Sequence, residues 1–144
     1  MSSSTRDTRD VDHQLDNRYS TFQEAASEYL IRHRSIIDVL SKIQESSARV
    51  NRSVVKAVTS CGCISVNASR QELPNDITYW EMKNYMSTHL DGEMCEQCKE
   101  VLELELGRTL FYLAALCDLF SLKFDEVIEA ERKRVTALGM FNLT

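Results

Sequence analysis

The stretch from Cys95 to Phe120, CEQCKEVLELELGRTLFYLAALCDLF, constrains this chain most, because it joins two closely spaced thiols to the most apolar long helical pattern in the sequence. From Cys98 onward apolar residues recur at Leu102, Leu106, Leu110, Leu113, Cys117 and Phe120, a spacing of three or four that puts them on one helical face. Leu104, Phe111, Leu116 and Leu119 widen that face. A helix apolar on more than one side has to be covered on more than one side, which predicts a central place among other helices. Turn chemistry is sparse, with four Gly and one Pro in 144 residues, and good helix formers are frequent, so the expected fold class is all-α.

Length predicts one domain. A net charge of -5 and the lack of a basic stripe argue against a nucleic-acid partner. No apolar run approaches the roughly 20 residues that span a bilayer, and MSSSTRDTRD has no signal-like core, so a soluble, cytoplasmic protein with no membrane partner is expected. In a reducing compartment five cysteines point to a metal or to reactive thiols rather than to disulfides.

Residues 1–18 are polar and charged with only Val11 and Leu15 as sizeable apolar groups, which predicts a mobile tail ahead of a helical domain over 19–144. A first helix is expected from a Ser20 or Thr21 cap to about His33. In the second, Ile36, Leu40, Ile43, Ser47, Val50, Val54 and Ala57 form a seam that should run to about Ser60. Cys61-Gly62-Cys63 stops it, because glycine accepts the left-handed conformation of a helix end. A connector follows, with a short extended piece at Ile64–Val66 and a short helix, YWEMKNYM, capped by Asp76 or Thr78 and laying Trp80, Met82, Tyr85 and Met86 on the bundle. His89–Gly92 reads as a turn. A last helix opens at Asp125, with Phe124, Val127, Ile128, Glu131 and Val135 inward, and ends at Gly139.

The pairs Cys61-x-Cys63 and Cys95-x-x-Cys98 both fall at expected helix boundaries. A short spacer lets one backbone turn aim two sulfurs at one ion, and four thiolates suit a tetrahedral structural zinc that would staple the connector. An iron–sulfur centre and free or redox-active thiols are the competing readings of the same spacing, and His89 could stand in for one cysteine. Cys117 lies about 28 Å of helix beyond Cys98, too far to join them, and reads as an inert thiol on the apolar face.

Glu105-Leu106-Gly107-Arg108-Thr109-Leu110-Phe111-Tyr112-Leu113, followed by Phe124-Asp125-Glu126-Val127-Ile128-Glu129-Ala130, resembles the MazG-like all-α nucleoside triphosphate pyrophosphohydrolases. That resemblance, strongest over Glu103–Ala130, implies a four-helix bundle, a homodimer or homotetramer, and a site where an E-x-x-E on the second helix and an E-x-x-D on the third hold magnesium on substrate phosphates. Of those acids only Glu105 matches. Arg108 stands in the place of the aspartate, and the second helix reads Ser46-Ser47-Ala48-Arg49-Val50-Asn51-Arg52. An arginine repels a hard cation where the family offers oxygens. Glu105 can instead pair with Arg108, Arg49 or Arg52, or the arginines can take an anion such as a nucleotide phosphate. The expectation is a catalytically silent MazG-like module with structural zinc that acts by binding or assembly. A magnesium-dependent pyrophosphohydrolase with a rearranged site is the alternative. The further acid pairs, Glu100 with Glu103 and Glu126 with Glu129, read as solvated helix faces.

Overall fold

The computed structural model describes the backbone of residues 8–139 and, within it, the side chains of 18–137. It is predominantly helical: α1 (Thr8–Tyr29), α2 (Ile36–Lys56), a π-helical turn (Ala57–Cys61), β1 (Ile64–Val66), a 3-10 turn (Tyr79–Glu81), α3 (Met82–Tyr85), β2 (Leu90–Gly92), α4 (Glu96–Leu119) and α5 (Phe124–Leu138). The chain divides into two compact units, 47–106 and the segments before and after it.

In the unit formed by the segments before and after 47–106, α1 begins at Thr8, well ahead of the Ser20–Thr21 cap, and the boundary placed at residue 18 falls inside it. No Gly or Pro interrupts the segment, and extending an existing helix costs far less than nucleating one. The beginning of the expected tail, residues 1–7, lies outside the described residues. α1 stops at Tyr29, before the expected His33; Leu30 N–H still reaches the Ala26 carbonyl at 3.1 Å, and the Arg34 guanidinium covers the Leu30 carbonyl at 3.0 Å.

Two clusters form this unit's interior. Ala26, Ala114 and Phe124 are buried together with Phe22, Leu113, Cys117 and Ile128 around them. Leu30, Val39 and Ala115 make the second with Ile43, Tyr112 and Leu116, and Phe111 packs against both. Alanines at the centre let α4 approach its neighbours closely. The turn after α4 is tied to α1 by one side chain: Gln23 donates to the Leu122 carbonyl at 2.7 Å and accepts from Phe124 N–H at 2.8 Å. Gly139 closes α5 as expected, its N–H on the Val135 carbonyl.

The structure corrects which faces are inward. On α2 the buried positions are Val39 and Ser46, while Ile36, Leu40 and Ser47 are exposed. The expected seam is therefore rotated by one residue at this end. Ser46 tolerates burial because its hydroxyl donates to the Ile43 carbonyl at 2.9 Å, which removes the penalty of an unpaired polar group. On α4, Leu106 and Leu110 are exposed, as is Phe120 just past its end, and on α5 Val127, Glu131 and Val135 are exposed, leaving Phe124 and Ile128 inward.

In the unit 47–106, β1 and β2 pair antiparallel with Ile64 opposite Gly92 and Val66 opposite Leu90. Ile64–Val66 is extended as expected, but 90–92 is a strand and not only a turn. Each strand is three residues long, too short for alternation to show in sequence. Thr78 opens the short helical stretch, its N–H and hydroxyl both 2.8 Å from the Glu81 carboxylate. Contrary to expectation, Trp80, Tyr85 and Met86 stay exposed and only Met82 is half-buried. Among the described residues, no helix is long and apolar enough to cross a membrane.

Candidate metal centre

The first two cysteines are placed by how α2 ends. Its last residues widen into a π-turn, and Gly62, at φ 75°, returns its N–H to the Ala57 carbonyl at 2.9 Å. Left-handed backbone there needs a glycine, and the reversal sets Cys61 and Cys63 on either side of it. Chain leaving Cys63 enters β1 directly, and β1 holds β2, whose last residue Gly92 faces Ile64. Gly92 has φ 86°, and a Cβ there would lie 2.9 Å from the Cys63 carbonyl oxygen. The backbone of this Cys61–Cys63 knuckle and β2 can touch only because Gly92 has no side chain.

Three residues on, Cys95 caps α4: its carbonyl accepts from Lys99 N–H at 3.0 Å. Its sulfur accepts the Cys98 N–H one turn in, as an oxygen does at an ordinary N-cap. The hydrogen bond that caps the helix also fixes the position of the Cys95 sulfur. The first pair repeats it, with the Cys63 backbone N–H bonding the Cys61 sulfur.

All four sulfurs lie within 4.8 Å of one another, and Cys61 Sγ is 3.8 Å from Cys95 Sγ. The thiols are free. Four sulfurs at about 2.3 Å from a central ion have edges of about 3.8 Å; the Cys61–Cys95 edge matches that length, and no other separation exceeds it by more than about 1 Å. Their ionisation is mutually frustrated. The Cys98 backbone N–H, reinforced by the Cys98 thiol, brings Cys95 down to about 7. Cys98, holding its proton toward Cys95 and partly removed from water, is pushed up to about 12. With Cys95 lowered and Cys61 and Cys98 raised by their neighbours' thiols and backbone, the cluster resists gathering negative charge, and a divalent cation would relieve it, since the cation's charge reverses the repulsion. These residues fit a metal ion.

His89 is outside this group. It sits at φ 55° with Nε2 3.2 Å from the Gln71 amide, and its carbonyl accepts from Asn67 N–H at 2.9 Å. Cys117 is half-buried against Ala26, Ala114 and Phe124, where burial raises its thiol. Of the residues matched to the hydrolase motif, Glu105 and Arg108 are one turn apart on α4, and Arg49 and Arg52 one turn apart on α2. Glu105 is half-buried and the three arginines are exposed. Glu126 pairs with Lys123 at 3.0 Å and Glu129 with Arg132 at 2.7 Å, while Glu100 and Glu103 are exposed. Those acids line ion-paired or solvated faces. The sequence places Gly92 in a turn but shows neither β2 nor the approach of Gly92 to Cys63; the signal, a glycine three residues before a CxxC, was too small to interpret without knowing what lies opposite.

Comparisons with known protein families, with curated proteins and with solved structures find no match.

Proposed function

We propose that this chain is a non-catalytic, MazG-like helical module in which Cys61, Cys63, Cys95 and Cys98 hold one structural zinc, and that it acts by binding or assembly. The observation that carries the zinc reading is the set of four sulfurs within 4.8 Å of one another. Zinc suits four thiolates without redox chemistry of its own and without a geometric demand beyond the tetrahedron. No position is left open for water, which makes the centre structural. The ion would join the end of α2 to the start of α4 across the connector.

The silent-module reading is supported by Arg108, Arg49 and Arg52, cations where the resembled hydrolases carry acids, and by the four-thiol site being soft where phosphate chemistry takes oxygen-bound magnesium. Pairing with the Glu105 carboxylate is the first role proposed for these arginines, and a nucleotide or other phosphate is the second, since a guanidinium suits either oxyanion. Assembly into a homodimer or homotetramer is supported by exposed apolar residues in 47–106, among them Val101, Leu104 and Leu106, in a unit whose buried apolar side chains among the described residues are Ala57 and Ile64.

Elemental analysis of purified protein, together with a nucleoside triphosphate panel in magnesium and manganese, tests both parts. About one zinc per chain and no pyrophosphate release is the expected result. Metal-free protein that does not take up zinc sinks the first part. Divalent-metal-dependent pyrophosphate release abolished by Glu105→Gln sinks the second and establishes the enzyme alternative.

A further inference from the structure

We infer that the four-sulfur cluster is an oxidant-triggered release point: a peroxide oxidises Cys61, a disulfide forms within the cluster, and the metal leaves. This rests on the zinc reading above. Cys61 is exposed, whereas Cys63, Cys95 and Cys98 are half-buried. Thiolates are the reactive form of cysteine, and a bound cation keeps its ligands as thiolates. Cys61 is therefore a nucleophile held ready at the surface.

The chemistry balances on sulfur alone. An electron pair of Cys61 Sγ attacks one oxygen of hydrogen peroxide, the O–O bond breaks, hydroxide leaves and Cys61 becomes a sulfenic acid. Cys95 Sγ, 3.8 Å away, then attacks that sulfur; the S–S bond forms and a second hydroxide leaves, each hydroxide taking a proton from solvent. Two electrons pass from the sulfur pair to the peroxide. Cys63 and Cys98 remain, half of the set that a tetrahedral zinc needs. A dithiol reductant reverses the disulfide by exchange.

Release has a structural consequence within 47–106. The β1–β2 ladder is three residues a side, and a two-stranded ribbon is marginal by itself. With Ala57 and Ile64 as this unit's buried apolar residues among those described, the metal is its principal staple. Oxidation would thus loosen the connector as well as free the ion.

The experiment uses the full zinc-loaded chain, hydrogen peroxide and a chromogenic zinc chelator, with free thiols alkylated and disulfides mapped by mass spectrometry. Released zinc should rise from background to about one per chain, with Cys61 in a disulfide to a cluster partner, Cys95 being the one 3.8 Å away. Amide exchange of Ile64–Val66 and Leu90–Gly92 should accelerate, reductant plus zinc should restore protection, and Cys117→Ser protein should behave like wild type. Zinc retained under excess peroxide, or released with Cys61 still alkylatable, overturns the inference while leaving the zinc centre standing. Protein that binds no zinc overturns the zinc reading itself.

Discussion

Gly92 has two separate reasons to be a glycine: a backbone at φ 86° and a Cβ position 2.9 Å from the Cys63 carbonyl. Gly62 has only the first, at φ 75° with open space around its missing Cβ. The two substitutions should therefore separate. Gly62→Ala should cost about 1–2 kcal/mol of backbone strain and keep the zinc, whereas Gly92→Ala should cost more and lower zinc content, because the close approach of β2 to the knuckle is lost. Melting temperature and zinc per chain, measured on both, check this. Ionisation is the other residue-scale test. Cys95 is lowered to about 7 by the Cys98 N–H, and Cys98 is raised to about 12 by serving as donor to Cys95. In metal-free protein the depressed group favours folding above its unfolded value, a contribution lost as pH falls through about 7. The raised group has the opposite sign: its contribution is present below the ordinary thiol range and is lost as pH climbs toward about 12. Thiolate absorbance of the apo protein should show one step near neutrality, and zinc should abolish it.

At the scale of elements, α2 turns Val39 and Ser46 inward and Leu40 outward. Val39 is fully buried and Leu40 is 48 % exposed, although leucine is the more apolar by sequence. Val39→Ala should then destabilise by about 2 kcal/mol and Leu40→Ala by less than about 1; equal losses in denaturant melts would contradict the observed face. The turn between α4 and α5 depends on Gln23 in the same discriminating way. Its amide satisfies a carbonyl and an N–H that the turn leaves unpaired, and Gln23→Ala should cost about 1–3 kcal/mol. Helix existence was legible throughout because periodicity repeats over many turns. Inner faces were less so, since α4 carries apolar residues on several sides and alanines, weak in any hydrophobicity ranking, hold its centre.

For the whole molecule, chelating the proposed zinc is the decisive perturbation. Structural zinc contributes on the order of 10 kcal/mol of apparent binding free energy, so chelation should lower the melting temperature markedly and expose the amides of 47–106 to exchange before those of the α1, α4 and α5 contacts. Cooperative loss of both units at one unchanged temperature, with and without chelator, would show that the cluster staples nothing. Light scattering should give a mass above 16.5 kDa at micromolar concentration if apolar residues such as Leu104 and Trp80, 54 % and 61 % exposed, are covered by another copy.

By itself the sequence determined the helical class, the break at Cys61-Gly62-Cys63, the end at Gly139 and the identity of the four thiols. Each of these is local: a period, a left-handed glycine, a pair of cysteines two or three residues apart. Only the tertiary structure decided that the two pairs meet, that a three-residue strand at Leu90–Gly92 brings them together, and that Val39 rather than Leu40 is inside. Those outcomes depend on contacts between residues far apart in the chain. A backbone approach allowed by one missing Cβ, or a serine hydroxyl satisfied by its own helix, leaves no periodic trace from which it could be read beforehand.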